Sequence, residues 1–398
     1  MLTHWNRLTA STLANAGRLK HTHIDLIGDD SRHLSLITDI GADCSGIIAT
    51  GVDASSRIAF GCSDGLALSV NHGRLADDYN LIGYDDTLRV VSRHFPPAIV
   101  VSDSHPGLAS TRVGRALANR AGARLIAVDH GHAHMAAVMA ENRLHGSVVG
   151  ILLDSNDISD ADDGRRLRGA ELLVCSRREC RSLNHPDSFT MPRDAAPWEA
   201  AVGLIIHHTG SATDVPRWLA DAVGRPNIIL AAERCRNKVD SVTVAGGAAY
   251  WDAIAAIIAT ARGGVCGAFA DHRMLDSLAS GLIAAPYDID YERPVSTSGV
   301  AEDVMADLNN NTDARVVAAR FVATEARAWA VAAARASAEL GVKEVAAGGE
   351  LLRSPLLQTM LRRNLSRLGL GLYLPSLDAA GDAGITIGQA AVAAALRA

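Results

Sequence analysis

The chain of 398 residues holds 44 acidic and 38 basic side chains, a formal charge of −6, so it lacks the broad electropositive face that non-specific nucleic-acid binding needs. No apolar run reaches the roughly 20 residues that cross a bilayer. Polar residues between Asn6 and Thr12 interrupt the start of the chain, where a secretory signal would be apolar. A cytoplasmic protein with no membrane and no nucleic-acid partner is expected. At 41.7 kDa the chain exceeds what one core usually supports, and two lobes are predicted.

In chain order, residues 1–32 read as a peripheral leader. The first lobe is predicted over 33–146. Short β-prone runs at 34–39, 45–50, 57–61 and 66–70 are separated by Gly, Asp and Ser. They are followed by a helix at 77–94, a strand at 98–101, a helix at 108–121, a strand at 125–128 and a helix opening at 130. Antiparallel strands followed by alternating strand and helix are the element order of a ribonuclease H-like lobe. The order restarts at 147, with strands at 148–153 and 171–175, which implies a duplicated second lobe over 147–398. An insertion of polar connections and helices is predicted at 177–262, including helices at 198–208 and 250–261. Then come helices at 273–282 and 314–340, a strand at 344–347, a helix from 355, a strand at 370–374 and a last helix at 385–396. That last helix is free to pack back on the first lobe.

The six cysteines form no closely spaced metal or redox motif and are predicted to be reduced. His130 and His134 are four residues apart, so on a helix both imidazoles project from one face, a turn from each other. Such a pair is a ready source of two ligands for zinc or iron. Taken alone, it is better explained by helix capping or a polar surface. Asp382, just ahead of an apolar helix, likewise has an ordinary reading as an N-cap.

Several segments together resemble one family, the hydrogenase maturation carbamoyltransferase HypF. Ser102-Asp103-Ser104-His105-Pro106 with Ser110-Thr111 resembles its "D-x-H-P…S-T" segment, and His130-Gly131-His132-Ala133-His134 its "H-H-H-A-H". Gly381-Asp382-Ala383-Gly384-Ile385 through Ala390 resembles "N-D-G-G-I-A-L-G-Q-A", and Gly348-Gly349 the "G-G-x-F" turn. Arg193-Asp194-Ala195-Ala196-Pro197-Trp198 matches an acidic and alanine segment ending in Pro-Trp. Each motif is weak alone; the combination, in order from about 34 to 398, is specific.

The resemblance implies an α/β fold of two ribonuclease H-like lobes of the actin and sugar-kinase (ASKHA) type, with a metal site in the interlobe cleft. Carried over, His130 and His134 from the first lobe and Asp382 from the second would hold a divalent iron or zinc ion, with Asp154 a further ligand. Asp154, Arg273 and Asp276 would serve catalysis, and Gly348, Gly349 and Asp276 a bound ATP or carbamoyl-adenylate. The family passes a carbamoyl group from carbamoyl-adenylate to a cysteine thiolate on a HypE-like acceptor protein. The family's acylphosphatase-like, zinc-module and adenylate-forming domains have no counterpart in this sequence, so a separate adenylate-forming partner is expected. The family's glycine loop "D-G-T-G-Y-G" is replaced by Asp154-Ser155-Asn156-Asp157-Ile158-Ser159-Asp160, which adds side chains and negative charge where backbone would approach phosphate. Its "S-A-G-R" turn becomes Ala270-Asp271-His272-Arg273. Two functions follow as expectations: a carbamoyltransferase of [NiFe] hydrogenase maturation, or a non-catalytic paralogue that acts as a scaffold or regulator of the maturation complex. Transfer to tRNA or a small hydroxyl compound fits the motifs less well.

Overall fold

In a computed structural model, residues 34–37, 40–62, 65–156, 164–263, 271–291, 298–376 and 380–397 are described. The predicted leader at 1–32 and residues 157–160 of the altered loop lie outside them. The chain forms two compact units. One takes residues up to 146, 175–180 and 375–398, and the other 147–174 and 181–374.

The first unit is built on a six-stranded sheet. Strands β1 (Leu34–Ile37), β2 (Ile47–Ala49), β3 (Ala59–Cys62) and β4 (Gly65–Ser69) precede helix α1 (Asp78–His94), β5 (Ile99–Asp103), α2 (Ala109–Ala121), β6 (Arg124–Val128) and α3 (His130–Glu141). The spatial order is β1-β4-β3-β2-β5-β6. The β2-β3-β4 meander is antiparallel, while β5 and β6 join β2 in parallel through helical crossovers. Carboxylates start all three helices. Asp77 accepts from the Tyr79 amide, Asp53 from the Ala109 and Ser110 amides, and Asp129 from the His132 amide. Ile48, Phe60, Tyr84, Leu88 and Leu117 are among the side chains that pack the core between sheet and helices.

The second unit repeats the arrangement around β7 (Val148–Leu153). Strands β8 (Arg166–Leu167), β9 (Ala170–Cys175), β10 (Cys180–Asn184) and β11 (Ser188–Pro192) follow, then helices α4 (Pro197–Thr209), α5 (Arg217–Val223) and α6 (Arg225–Arg236) and strand β12 (Ser241–Ala245). Next come α7 (Gly247–Ala261), α8 (His272–Ala279), α9 (Ser298–Asn309), α10 (Ala314–Leu340), β13 (Glu344–Gly348), α11 (Pro355–Arg367) and β14 (Gly371–Tyr373). Its main sheet runs β10-β9-β7-β13-β14. Every residue of β7 is buried, as its unbroken run Val-Val-Gly-Ile-Leu-Leu requires of a central strand covered on both faces. Phe321 of α10 meets Tyr250 and Trp251 of α7 at ring-centroid distances of 5.7 and 5.0 Å, which ties the long alanine-rich helix into the core. Both sheets share one order, with the meander's first strand next to the two parallel strands, so the fold is the duplicated ribonuclease H-like α/β architecture.

Two expectations change. The stretch read as polar connections and helices contains two strands of a second small sheet, β11-β12-β8, in which β11 and β12 pair antiparallel across the intervening helices. No local pattern announces a pairing of that sequence separation. Cys175 and Cys180, read as reduced, form a disulfide where the turn between β9 and β10 brings their Cα atoms to 4.1 Å. Helix α12 (Ile385–Arg397), which the sequence left free to pack back on the first lobe, belongs with Asp382 to the first unit. Gly388 makes this possible, because a Cβ there would lie 1.8 Å from the Ala133 carbonyl oxygen on α3. Gln389, fully buried, then pins the helix: its Oε1 accepts from the Gly51 amide at 2.8 Å and its Nε2 donates to the Gly51 carbonyl at 3.2 Å.

Candidate metal centre

Strand β6 delivers Asp129 to the N-cap of α3, so His130 begins the helix and His134 follows one turn later. Every residue of α3 from His130 to Ala140 is buried, and the two rings meet edge to face, 77° between their planes and centroids 4.8 Å apart. Their Nε2 atoms lie 3.2 Å from each other. Asp382, brought in by the close approach of α12 to α3, places Oδ1 at 3.5 Å from His130 Nε2 and 3.7 Å from His134 Nε2. Bond lengths of about 2.1 Å to zinc or iron put neighbouring ligands of a tetrahedral site about 3.4 Å apart. The triangle of 3.2, 3.5 and 3.7 Å therefore fits one such ion. Its donor set of two imidazoles and a carboxylate matches the chemistry of zinc and non-haem iron.

The end of α3 is fixed as well. Arg177, buried in the turn that the disulfide closes, donates from Nη1 to the Ile40 carbonyl at 2.9 Å and from Nη2 to the Met139 carbonyl at 3.3 Å. Burial holds its pKa below the ordinary arginine value. His132, between the two candidate ligands, is engaged elsewhere: its Nε2 sits 2.8 Å from the Ser176 carbonyl, and burial pushes its pKa down.

A residue to which the sequence reading gave no role stands behind His130. Asp103, the last residue of β5, is 1 % exposed and places Oδ2 at 3.2 Å from His130 Nδ1. The parallel register that pairs Asp103 with Val128 could have pointed to it, since Val128 is two residues ahead of His130.

The remaining predicted site residues lie in the second unit. Asp154 directly follows β7, buried, with Oδ1 accepting from the Glu350 amide at 2.9 Å. Gly348 closes β13, and Gly349, at φ +107°, could carry no side chain because a Cβ would lie 2.3 Å from the Leu153 carbonyl oxygen. The glycine pair thus has an internal packing reason. Arg273 and Asp276 line a cavity of about 230 Å³ together with Trp251, His272, Glu350 and Arg353. Asp276 accepts from Ser354 Oγ at 2.5 Å, and burial raises its pKa. Burial also raises that of Glu350, against the pull of Arg353. Arg273 is largely exposed and paired with its neighbour Asp271 at 3.2 Å. His272 is held by Asp252, with Nδ1 and Oδ1 2.9 Å apart.

The altered loop is rebuilt as far as it is described. Asn156 Oδ1 accepts from the Ala249 amide at 2.7 Å, and the Asp154 carbonyl accepts from the Ala248 amide at 2.9 Å. Asn156 Nδ2 donates to the carbonyls of Arg168, at 2.7 Å, and Gly246. Side chain and backbone of this stretch therefore satisfy the first amides of α7.

Comparison with known proteins agrees with the motifs. Residues 162–389 match the family model of the carbamoyltransferase Kae1-like domain, second subdomain, and residues 42–141 that of the HypF Kae1-like domain. A carbamoyltransferase HypF homolog of Cupriavidus necator is 29% identical over 338 residues, which is 81% of this chain and 85% of that protein. The carbamoyltransferase HypF2 of the same organism is 27% identical over 333 residues, 75% of this chain but only 40% of its own length. Full-length HypF solved in a phosphate- and nucleotide-bound form superposes with a TM-score of 0.78 at 23% identity, covering 91% of this chain and 56% of that one. HypF of T. kodakarensis gives 0.77 at 20% identity, covering 90% and 49%. With more than half of its length matched to the family's domain, the chain belongs to the HypF carbamoyltransferase family through the Kae1-like domain.

Proposed function

We propose that this chain is a carbamoyltransferase of [NiFe] hydrogenase maturation that moves a carbamoyl group from carbamoyl-adenylate to a cysteine thiolate of a HypE-like acceptor. The observation that carries this reading is the buried triangle of His130, His134 and Asp382. In the transfer, the thiolate sulfur bonds to the carbamoyl carbon, the bond from that carbon to the adenylate phosphate oxygen breaks, and AMP leaves with the electron pair. An iron or zinc ion held by His130, His134 and Asp382, with Asp154 as the further ligand that the motifs suggest, would supply Lewis-acid polarisation of a carbonyl or phosphate oxygen.

The chain's own residues divide the remaining work. Arg273 and Arg353 offer guanidinium groups to the phosphate of a nucleotide in the second unit's cavity, and His272, oriented by Asp252, adds a donor beside them. Asp276, tied to Ser354, is the cavity's candidate acceptor for a ribose hydroxyl or exocyclic amine. Gly348 and Gly349 would let the turn after β13 approach the nucleotide closely. These assignments, with the catalytic roles of Asp154, Arg273 and Asp276, rest on the resemblance and on the cavity's lining.

A second reading has one observation in its favour: Asn156 fills the helix end beside the replaced glycine loop. A scaffold or regulator that keeps the metal but not the adenylate would show that feature. Calorimetric titration with Zn²⁺ or Fe²⁺ and with a non-hydrolysable adenylate analogue separates the two, together with transfer of labelled carbamoyl to a cysteine-bearing acceptor. The enzyme reading requires both ligands to bind and His130→Ala to abolish transfer. Metal binding without adenylate binding selects the scaffold. Among the described residues no helix is long and apolar enough to cross a membrane.

A further inference from the structure

Asp103 stands where a carboxylate can set the protonation pattern of the candidate metal centre. Strand β5 is buried throughout, and its last residue is anchored by groups on both sides of its peptide. Thr111 Oγ1 and Ser102 Oγ each donate to the Asp103 carbonyl at 3.2 Å. One carboxylate oxygen, Oδ1, accepts from the His105 amide at 2.8 Å, and the other lies 3.2 Å from His130 Nδ1. The carboxylate is thus held by the strand end and the turn after it, and it faces an imidazole held by a different element.

The opposite edge of that ring meets a second imidazole. Two Nε2 lone pairs cannot face each other at 3.2 Å, so the contact between His130 and His134 requires either a proton on one of them or a cation that both can ligate. A carboxylate at Nδ1 decides which form His130 takes, because it holds the proton on Nδ1 and leaves Nε2 as a lone pair directed at His134 and Asp382. The same arrangement behind a metal-bound histidine fixes ring orientation and raises the basicity of the ligating nitrogen. We propose that Asp103 is a positioning residue of the metal centre, which locks His130 in the Nδ1–H tautomer and so presents Nε2 as a ligand before any ion arrives. This inference rests on the metal-centre reading above and adds to it a residue that never touches the ion.

The test uses the full chain and two variants, Asp103→Asn and Asp103→Ala. In the metal-free protein, ¹⁵N-detected imidazole spectra are expected to show His130 in the Nδ1–H form, with the Nε2–H form growing in Asp103→Asn. A wild-type His130 already in the Nε2–H form overturns the proposal. Titration with Co²⁺ reads affinity and ligand field directly. Asp103→Ala is expected to weaken binding by about 10 to 100-fold and to shift the visible d–d bands, with Asp103→Asn intermediate. Unchanged affinity and bands in both variants, beside a wild type that binds Co²⁺, overturn the positioning role and leave the metal centre standing, whatever happens to thermal stability. A wild type that binds neither Co²⁺ nor Zn²⁺ overturns the centre and this role together. Should Asp103→Ala fail to fold, Asp103→Asn, which keeps shape and one acceptor, supplies the same two readouts.

Discussion

The first unit's histidine cluster and the second unit's cavity are built by opposite means. The cluster is buried, and each member is aimed by backbone: His130 and His134 by the first turns of α3, Asp382 by the turn ahead of α12, with Gly388 and Gln389 holding the two helices together. The cavity is lined by polar and charged side chains that already have partners, Glu350 with Arg353 at its rim and Asp276 with Ser354. Preorganised buried ligands confer affinity because little ordering remains to be done on binding. Exposed and internally paired charges leave affinity dependent on how easily those pairs exchange for a ligand. The metal triangle is therefore the firmer half of the functional reading, and the nucleotide pocket the half on which the choice between enzyme and scaffold turns.

The contrast can be tested most severely at Gly388. Gly388→Leu drives a side chain into the Ala133 carbonyl and is expected to destabilise the first unit by more than about 3 kcal/mol. Urea unfolding checks the stability, and loss of Co²⁺ binding checks the coupling of helix packing to the centre. The cavity of the second unit contains none of the residues involved.

On the second unit, Glu325 is a wholly buried carboxyl on α10 that accepts from Trp329, and burial raises its pKa to about 7. The folded form then binds a proton that the unfolded chain, titrating near 4.5, has already released. Stability contributed by the neutral acid is full below pH 4.5 and falls as pH rises through about 7, a loss of roughly 3 kcal/mol. Glu325→Gln should remove this slope and raise the melting temperature at pH 8. An equal slope in the variant would show that other groups titrate instead.

Single ligands come next. His130→Ala should weaken Zn²⁺ binding by about 100-fold or more, beyond the cost of any supporting residue, without a comparable change in adenylate affinity. If adenylate binding falls equally, the two regions are not separable. The smallest effect is expected at Asn156, whose replacement by Gly removes the acceptor of the Ala249 amide at the start of α7 and costs about 1 kcal/mol. If this side chain is what closes the loop to phosphate, the same substitution raises affinity for the adenylate analogue. Unchanged affinity would place the obstruction elsewhere.

The local pattern was enough for the repeated strand and helix order, for β7 as a continuous apolar run and for the histidine spacing on α3, because periodicity and capping act over a few residues. The motif at 381–390 marked Asp382 as a ligand candidate but not the unit it joins. That depended on a Cβ-free contact between Gly388 and Ala133 and on a buried glutamine bonded to Gly51, neither of which leaves a trace in hydrophobic pattern. The β11-β12 pairing, the disulfide of Cys175 with Cys180 and the carboxylate of Asp103 behind His130 were likewise decided in three dimensions. In each case the partners are set by where whole elements pack, a sum over long-range contacts that no short stretch of sequence contains.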